Sequence, residues 1–307
     1  MRRFALLASL AAVGSLLLAG CGQAQPAAGP IHLTDDIGKQ LTLKAPVTRI
    51  ISLGPSNTQI LLALGLRKEI VGIDDESIQY DPEPYRREAK GLTVVGDSYN
   101  GLNVEKIAAL HPQLVLAMQG VKNISEIEAL HLKVATLDPS SIQGIYRDIA
   151  FVGEATGASA KAAALVTSMR SKLRAIGDAV RGLGRPRVFV ELDPTQYYTA
   201  GPGSFLDGLI KLAGGRNIAD SVTKQQYPAL SSETVIAQNP QVIVLLDTPY
   251  ASARSVAARP GWEEIAAVRD GRVEQNIDPN LLAEPAPAIV QGVRELAQDL
   301  HPGHRIP

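Results

Sequence analysis

The chain has 307 residues, of which 45% are hydrophobic, so it can bury a substantial core and is long enough for two domains. Its 30 basic and 31 acidic residues nearly balance, so no polyanion-binding surface is implied overall. The sequence has no phosphate-binding P-loop, zinc-finger spacing or aromatic RNA-binding strand, so nucleotide and nucleic-acid binding receive no support.

The N-terminus predicts export. Arg2 and Arg3 precede an uncharged apolar stretch that ends in small residues, as in a secretory signal peptide. Leu18-Ala19-Gly20-Cys21 resembles a bacterial lipoprotein signal, in which the cysteine is lipidated. The alternative is a plain signal peptide, but Cys21 is the only cysteine in the chain and lies where lipidation requires it. We expect a signal peptide over 1–20 and a lipidated tether over 21–30, which would hold the protein at the outer face of the cytoplasmic membrane.

Residues 31–140 predict an α/β lobe. It starts with a hairpin, "IHLTDDIGKQLTLKAP", and "RIISLGPSNTQILLALGL" then predicts a strand and a helix that begins near Ser56 or Asn57. Further strands are predicted at "EIVGID", "LTVVGD" and "KVATLD". The strands are short, aliphatic on both faces and separated by helical segments, which indicates a parallel sheet covered on both sides.

Residues 141–184 predict the connection to a second lobe. An amphipathic segment, "SSIQGIYRDIAFVGEATG", precedes an alanine-rich stretch, "ASAKAAALVTSMRSKLRAIGDAVRGLG". A helix of about 25 residues would extend about 37 Å, enough to cross between two domains. Strand–helix alternation resumes over 185–307. The predicted fold is therefore α/β, with two Rossmann-like lobes, each on a parallel sheet, joined by one long rigid helix.

A short helix–strand unit occurs twice. "LNVEKIAALHPQLVL" (102–116) and "LSSETVIAQNPQVIV" (230–244) share a leucine, a glutamate three places on and a Pro-Gln pair before an aliphatic run. Chance recurrence of a common phrase is the alternative, but the identical spacing favours equivalent units in two lobes. From the residues alone, Glu105 and Glu233 are explained by the attraction between an acidic side chain and a helix N-terminus.

Four segments then carry a resemblance to a known family. "RIISLGPSNTQILLALGL", "YYTAGPGSFLDGLIKLAGGRNIAD", "RPGWEEIAAVRDGRV" and "IDPNLLAEPAP" resemble periplasmic binding proteins of the helical-backbone class (class III), cobalamin-binding type. The resemblance covers nearly the whole mature chain. It implies a non-enzymatic monomer, without a cofactor, that holds a corrinoid between two lobes and delivers it to an ABC permease dimer and its ATPase. In this family one glutamate on each lobe pairs with permease arginines, which implies docking roles for Glu105 and Glu233.

Loop tyrosines are the candidate ligand contacts, because a corrin ring has apolar faces and amide edges that suit aromatic walls with polar tips. Such residues lie at Tyr80, Tyr99, Tyr197, Tyr198, Tyr227 and Tyr250. The resemblance implies that the ligand is contacted by Tyr80, Tyr99, Met118, Tyr198 and Tyr227. Ser56 and Asn57 either add hydrogen bonds to the ligand or cap the first helix.

One segment departs from the family. Where relatives often read R-P-G-P-R, this chain has Glu284-Pro285-Ala286-Pro287-Ala288, without either arginine. The usual tryptophans are also missing, and we expect Trp262 to have a packing role. Haem or a ferric siderophore is the alternative ligand, although an anionic siderophore would need more basic groups than Lys122, Lys224 and Arg254 provide.

Metal-ion binders and enzymes are the other classes considered, and the sequence lacks the residues that either would need. A metal-ion site would need histidines in cleft loops, and the histidines lie elsewhere, at His32, His111, His131, His301 and His304. An enzyme, including a chelatase-like protein of related fold, would need a nucleophile or a placed histidine base, and none is evident.

Overall fold

The computed structural model describes residues 29–247 and 250–307, which form two α/β lobes. The predicted signal peptide, the lipidation site at Cys21 and most of the tether lie outside the described residues. Within the described ranges, no helix combines the length and apolar character needed to cross a bilayer.

The N-terminal lobe is a parallel sheet with short helices and an added hairpin. Its elements are β1 (Ile31–Thr34), β2 (Gln40–Leu43), β3 (Ile50–Ser52), α1 (Pro55–Ala63), β4 (Ile70–Ile73), α2 (Glu76–Gln79), α3 (Tyr85–Ala89), β5 (Gly96–Asp97), β6 (Gly101–Leu102), α4 (Val104–Ala109), β7 (Leu114–Ala117), α5 (Ile124–Ala129) and β8 (Val134–Thr136). The main sheet has the order β4-β3-β7-β8, and all its neighbouring strands are parallel. Every residue of β3 and β7 is buried, as their aliphatic character predicts.

The expected hairpin forms, but one expected strand does not. Ile31 lies opposite Leu43 in the antiparallel pair β1–β2. The "LTVVGD" segment pairs with the main sheet only through an isolated bridge between Ile73 and Val94, and its last residues pair with β6 instead. Gly96 has φ 124°, a conformation that glycine adopts readily, so the chain turns out of the sheet at this residue.

Two antiparallel helices occupy the predicted interlobe segment, 141–184. They are α6 (Ile142–Thr156) and α7 (Ser159–Ala179). Gly157, with φ 73°, ends α6 in the left-handed conformation common at helix C-termini. Helix α7 has 21 residues rather than about 25, because it ends at Ala179, with Val180 as its C-cap, before Gly182 and Gly184.

Helix α7 contacts both lobes. Near its start, Lys161 Nζ donates a hydrogen bond to the backbone oxygen of Leu64 at 3.2 Å. Near its end, Gly177 lies beside Leu212 of the second lobe. At about 1.5 Å per residue the helix extends about 31 Å. The prediction of two lobes joined by one long helix is confirmed.

The C-terminal lobe repeats the sheet of the first. Its elements are β9 (Arg187–Glu191), α8 (Phe205–Leu212), β10 (Arg216–Asn217), α9 (Ser232–Gln238), β11 (Val242–Leu245), α10 (Ala253–Ala257), α11 (Ala266–Arg269), β12 (Val273–Glu274), α12 (Asn280–Ala283) and α13 (Ile289–Leu300). The sheet order β10-β9-β11-β12 corresponds, strand by strand, to β4-β3-β7-β8.

The repeated sequence units occupy equivalent places in the two lobes. Gln113 Oε1 accepts a hydrogen bond from the backbone N–H of Arg49 at 3.1 Å, and Gln241 Oε1 accepts one from Arg187 at 3.1 Å. The backbone N–H of each glutamine also donates to the oxygen of the same arginine at 2.8 Å. Each Pro-Gln pair thus sets the register between two neighbouring strands, which explains why the sequence repeats it.

Candidate functional site

A cavity of about 370 Å³ lies where the two lobes meet, beyond the carboxyl ends of the strands in the main sheet of the N-terminal lobe. Ligands of open α/β sheets bind at this edge, because the loops that follow the strands converge there. The first lobe and the segment around α12 both contribute to its lining, which consists of Glu76, Gln79, Tyr80, Asp97, Tyr99, Asn100, Asn280 and Glu284.

A buried hydrogen-bond network holds the loops that carry the tyrosines. Asp74 follows β4 directly; its carboxylate accepts from the hydroxyl of Ser77 at 2.6 Å and from that of Ser98 at 2.7 Å. Glu76 accepts from the backbone N–H of Ser98 at 3.0 Å. The network therefore joins helix α2, which precedes Tyr80, to the loop that carries Tyr99.

Asp97 shapes the same loop. Its carboxylate accepts from the backbone N–H groups of Tyr99 at 2.8 Å and Asn100 at 2.6 Å, and from the Asn100 side-chain amide at 2.6 Å. These hydrogen bonds, the Asn100 side chain first, lower the pKa of Asp97 to about 2. Asp97 is therefore ionised at neutral pH, and its hydrogen bonds stabilise the turn that contains Tyr99.

Burial raises the pKa of the other carboxyl groups around the cavity. It raises the pKa of Glu76 to about 8 and that of Glu284 to about 7, with the nearby Asp74 and Asp138 adding to the effect on Glu284. It also raises the pKa of Asp81, which is fully buried, to about 9. Within the described chain, the Asp81 carboxyl oxygens and Glu284 Oε2 are buried without a hydrogen-bond partner.

Two predicted ligand contacts line the cavity. Tyr80 is 48% exposed and Tyr99 is 55% exposed, which is high for aromatic side chains and leaves faces free for a ligand. Tyr198 and Tyr227 lie together on the second lobe, where Tyr198 bridges Ala229 and both remain well exposed. They lie outside the lining of this cavity.

The remaining predicted contacts have other environments. Met118 covers Gly54, and an added Cβ there would clash with the Met118 sulfur. Ser56 and Asn57 are buried, at 1% exposure each, and do not cap α1, whose N-cap is Gly54. The expectation of a capping role was wrong because Pro55, at the first helical position, starts the helix one residue earlier.

Tyr197 and Trp262 form packing contacts in the second lobe. Their ring centroids are 5.4 Å apart, and the indole N–H of the fully buried Trp262 donates to Ser232 Oγ at 2.8 Å. Arg259 lies over both rings and makes a two-pronged ion pair with buried Glu191. The expected packing role of Trp262 is confirmed.

Sequence analysis missed the acidic lining of the cavity. Glu76 follows the predicted strand "EIVGID" closely, and Asp97 ends the predicted strand "LTVVGD". Acidic residues in these positions could have indicated a polar wall at the carboxyl ends of the strands. Asn280 and Glu284 carried no such signal, because only the fold brings α12 to the first lobe. Ala286 and Ala288 are buried, and the Ala288 N–H donates to Gln59 Oε1 at 3.4 Å, so this segment packs against α1.

The histidines lie elsewhere. His32 contacts Thr42 in the hairpin, His111 adopts a left-handed turn, and buried His301 bonds to the backbone oxygen of Ala213 at 3.2 Å. The carboxyl oxygens of Asp75, Glu76 and Asp97 lie within 4.8 Å of one another. Asp97 already accepts three hydrogen bonds, so this group is best explained as part of the loop structure.

A larger groove, of about 690 Å³, runs along α6, α7 and α8 on the helical connection between the lobes. It includes Tyr146, Arg170 and Lys211 but none of the residues predicted to contact a ligand. It does not include the loops that follow the strands, so the smaller cavity is the better candidate site.

Glu105 and Glu233 are both exposed at helix N-termini. Helices α4 and α9 each lead into a parallel strand, so they run opposite to the strands and their N-termini lie at the carboxyl edge of each sheet. The two carboxylates therefore lie at the same edge of their sheets as the cavity, one on each lobe.

Comparison with known proteins places the chain in a family. The profile described as "Periplasmic binding protein" matches residues 50–275. The chain is 32% identical to an uncharacterised ABC transporter substrate-binding lipoprotein, YvrC of Bacillus subtilis, over 94% of this chain and 95% of that protein. It is 33% identical to a cobalamin-binding protein of Halobacterium salinarum, over 89% of this chain and 74% of that protein.

A solved structure shows the same fold. The periplasmic heme-binding protein RhuT of Roseiflexus sp. RS-1, in apo form, matches with a TM-score of 0.72 and 26% identity, over 83% of this chain and 98% of that chain. Such proteins bind substrates for transport and are not a family of enzymes. The chain belongs to the periplasmic binding proteins of ABC importers, in the class whose two α/β lobes are joined by a helical backbone.

Proposed function

We propose that this protein is a lipid-anchored substrate-binding protein that captures cobalamin or a related corrinoid between its lobes. The observation that carries the proposal is the interlobe cavity, where Tyr80 and Tyr99 present half-exposed rings beside amide and carboxyl groups. Flat apolar faces with a polar amide edge, as in a corrin, match such a lining. The relative from Halobacterium salinarum, a cobalamin-binding protein, supports the same ligand class.

Haem is the second candidate, because the RhuT structure is similar. Haem iron would need an axial ligand, and among the cavity residues a tyrosine phenolate is the available choice. Burial, together with Glu284 and Glu76, raises the pKa of Tyr99, which disfavours the phenolate. The environment of Tyr99 therefore opposes an axial phenolate at this residue.

Delivery would use the two exposed glutamates. A two-lobed protein that binds a two-fold permease needs an equivalent anchor on each lobe, and Glu105 and Glu233 have that arrangement. Ionic contacts of this kind set orientation and association rate more than affinity. Lipidation at Cys21 would keep the protein beside its permease.

Titration calorimetry tests the ligand. The protein from residue 22 onwards, without its lipid, is titrated with cyanocobalamin, haemin and a ferric siderophore. The proposal expects one-to-one binding of cyanocobalamin and much weaker binding of the others. Binding of haemin or the siderophore without cyanocobalamin would retain the family assignment and refute the ligand.

A further inference from the structure

The cavity has an unusual charge balance for a protein of near-neutral net charge. Among the described residues that line it, Glu76, Asp97 and Glu284 carry carboxyl groups and none carries a basic group. Gln79, Asn100 and Asn280 add amide groups. Asp81 is fully buried and lies near enough to Glu284 for the two negative charges to disfavour each other.

Some of these oxygens lack partners. Glu284 Oε2 is buried without a hydrogen-bond partner in the described chain, although it belongs to the cavity wall. A buried acceptor without a partner costs free energy, which a ligand with N–H donors or a positive charge would recover. Asp97 differs, because its oxygens are already occupied by Tyr99 and Asn100.

We infer that the wall formed by Glu76 and Glu284, when its carboxyl groups are ionised, selects ligands by charge: it accepts hydrogen bonds from primary amides at a corrin edge and rejects ligands with carboxylates there. This inference rests on the proposed function and specifies its substrate class as neutral or cationic, amide-edged corrinoids. In this interpretation the segment Glu284–Ala288 contributes to ligand recognition, since its Glu284 presents a hydrogen-bond acceptor to the cavity.

The matched ligands are cyanocobalamin and its separated monocarboxylates, in each of which one side-chain amide has been hydrolysed. Hydrolysis changes the size very little, removes N–H donors and adds a negative charge. The titrations are made at pH 9, where both wall carboxyl groups are ionised, since the pKa of Glu76 is about 8 and that of Glu284 about 7. Like charges at close range in a partly buried site are costly, so we expect at least one isomer to bind more than about tenfold more weakly than cyanocobalamin.

Two variants test whether Glu76 and Glu284 cause the discrimination between cyanocobalamin and its monocarboxylates. The double variant Glu76→Gln with Glu284→Gln keeps the shape of the wall and removes its charge, so its discrimination between the two ligands should shrink. Glu263→Gln, at an exposed position outside the cavity, is the matched control and should discriminate as the unmodified protein does.

The outcomes separate the two claims. If cyanocobalamin does not bind at all, the proposed function is refuted. If cyanocobalamin binds and every monocarboxylate binds within about tenfold of it, the charge selection is refuted and the proposed function stands. Undiminished discrimination in the Glu76→Gln, Glu284→Gln variant would also overturn the inference.

Discussion

Glu105 and Glu233 are each the second residue of a short helix, in equivalent positions of the two lobes. The residues before those helices cap them in the same way. Asn103 Oδ1 accepts from the Lys106 N–H at 2.8 Å, and Ser231 Oγ accepts from the Thr234 N–H at 3.1 Å. Each cap bonds the third N–H of its helix without using the glutamate, and both glutamate side chains stay exposed at the surface.

Charge reversal tests the docking role. In the double variant Glu105→Lys, Glu233→Lys, ligand affinity should stay unchanged and uptake into cells or proteoliposomes with the permease should be lost, because both anchors would repel basic partners. The matched control is Glu126→Lys, another exposed glutamate in the first turn of a short helix. Normal transport by the double variant would rule out docking through these residues.

Truncation of the exposed tyrosines tests the ligand contacts. Tyr99→Ala and Tyr227→Ala should each weaken corrinoid binding by about tenfold, through lost aromatic contact area. Calorimetric titration measures the affinity. Leu130→Ala, a half-exposed position at the end of α5, should bind normally. Unchanged affinity in the Tyr99 variant would exclude Tyr99 from the site, and the same holds separately for Tyr227.

A buried carboxyl group in α6 should make stability depend on pH. Burial raises the pKa of Asp148 from its ordinary 3.8 to about 8; Asp36 and Asp138 add to the shift and Arg147 opposes it. Between pH 4 and pH 8 the folded protein therefore holds a proton that the unfolded chain has released. This contribution to stability is fully present below pH 3.8 and is lost as pH rises through about 8.

Asp148→Asn is the corresponding variant. It should be more stable than the unmodified protein at pH 8, on the order of 1–3 kcal/mol, and this advantage should shrink steadily towards pH 4, because the unfolded chain then begins to keep Asp148 protonated as well. Urea unfolding at pH 8 and at pH 4 gives the difference. Asp270→Asn, at an exposed position, serves as the control and should change stability little at either pH. An equal effect of Asp148→Asn at both pH values would contradict the titration.

The buried ion pair of the second lobe should be costly to break. Glu191 is fully buried and pairs with Arg259, whose Nη2 lies 2.7 Å from Glu191 Oε1. Arg259→Leu would leave that carboxylate without its partner beside Asp247, whose pKa burial and Glu191 already raise to about 7. We expect a loss of about 3–5 kcal/mol in the free energy of unfolding, measured by urea denaturation.

Arg254→Leu, an exposed position on α10, is the comparison and should cost little. If the two variants proved equally stable, the ion pair would not be a main support of the lobe.

Local patterns in the sequence determined much of the fold. The aliphatic runs at β3, β7 and β11 predict strands buried on both faces, because side chains there must be apolar in both directions. The caps at Asn103 and Ser231 are local too, and the Pro-Gln pair recurs at the same spacing, so the two equivalent helix–strand units were predictable. These features depend on contacts close in sequence or on periodicity.

Only the tertiary structure decided the candidate site. Glu76 and Glu284 are far apart in sequence, and no local pattern predicts that packing of the segment around Ala288 against Gln59 brings α12 to the first lobe. The burial of Ser56 and Asn57 likewise follows from how α1 packs. Long-range packing determines which polar groups lose water, and hence which pKa values rise and which acceptors remain free for a ligand.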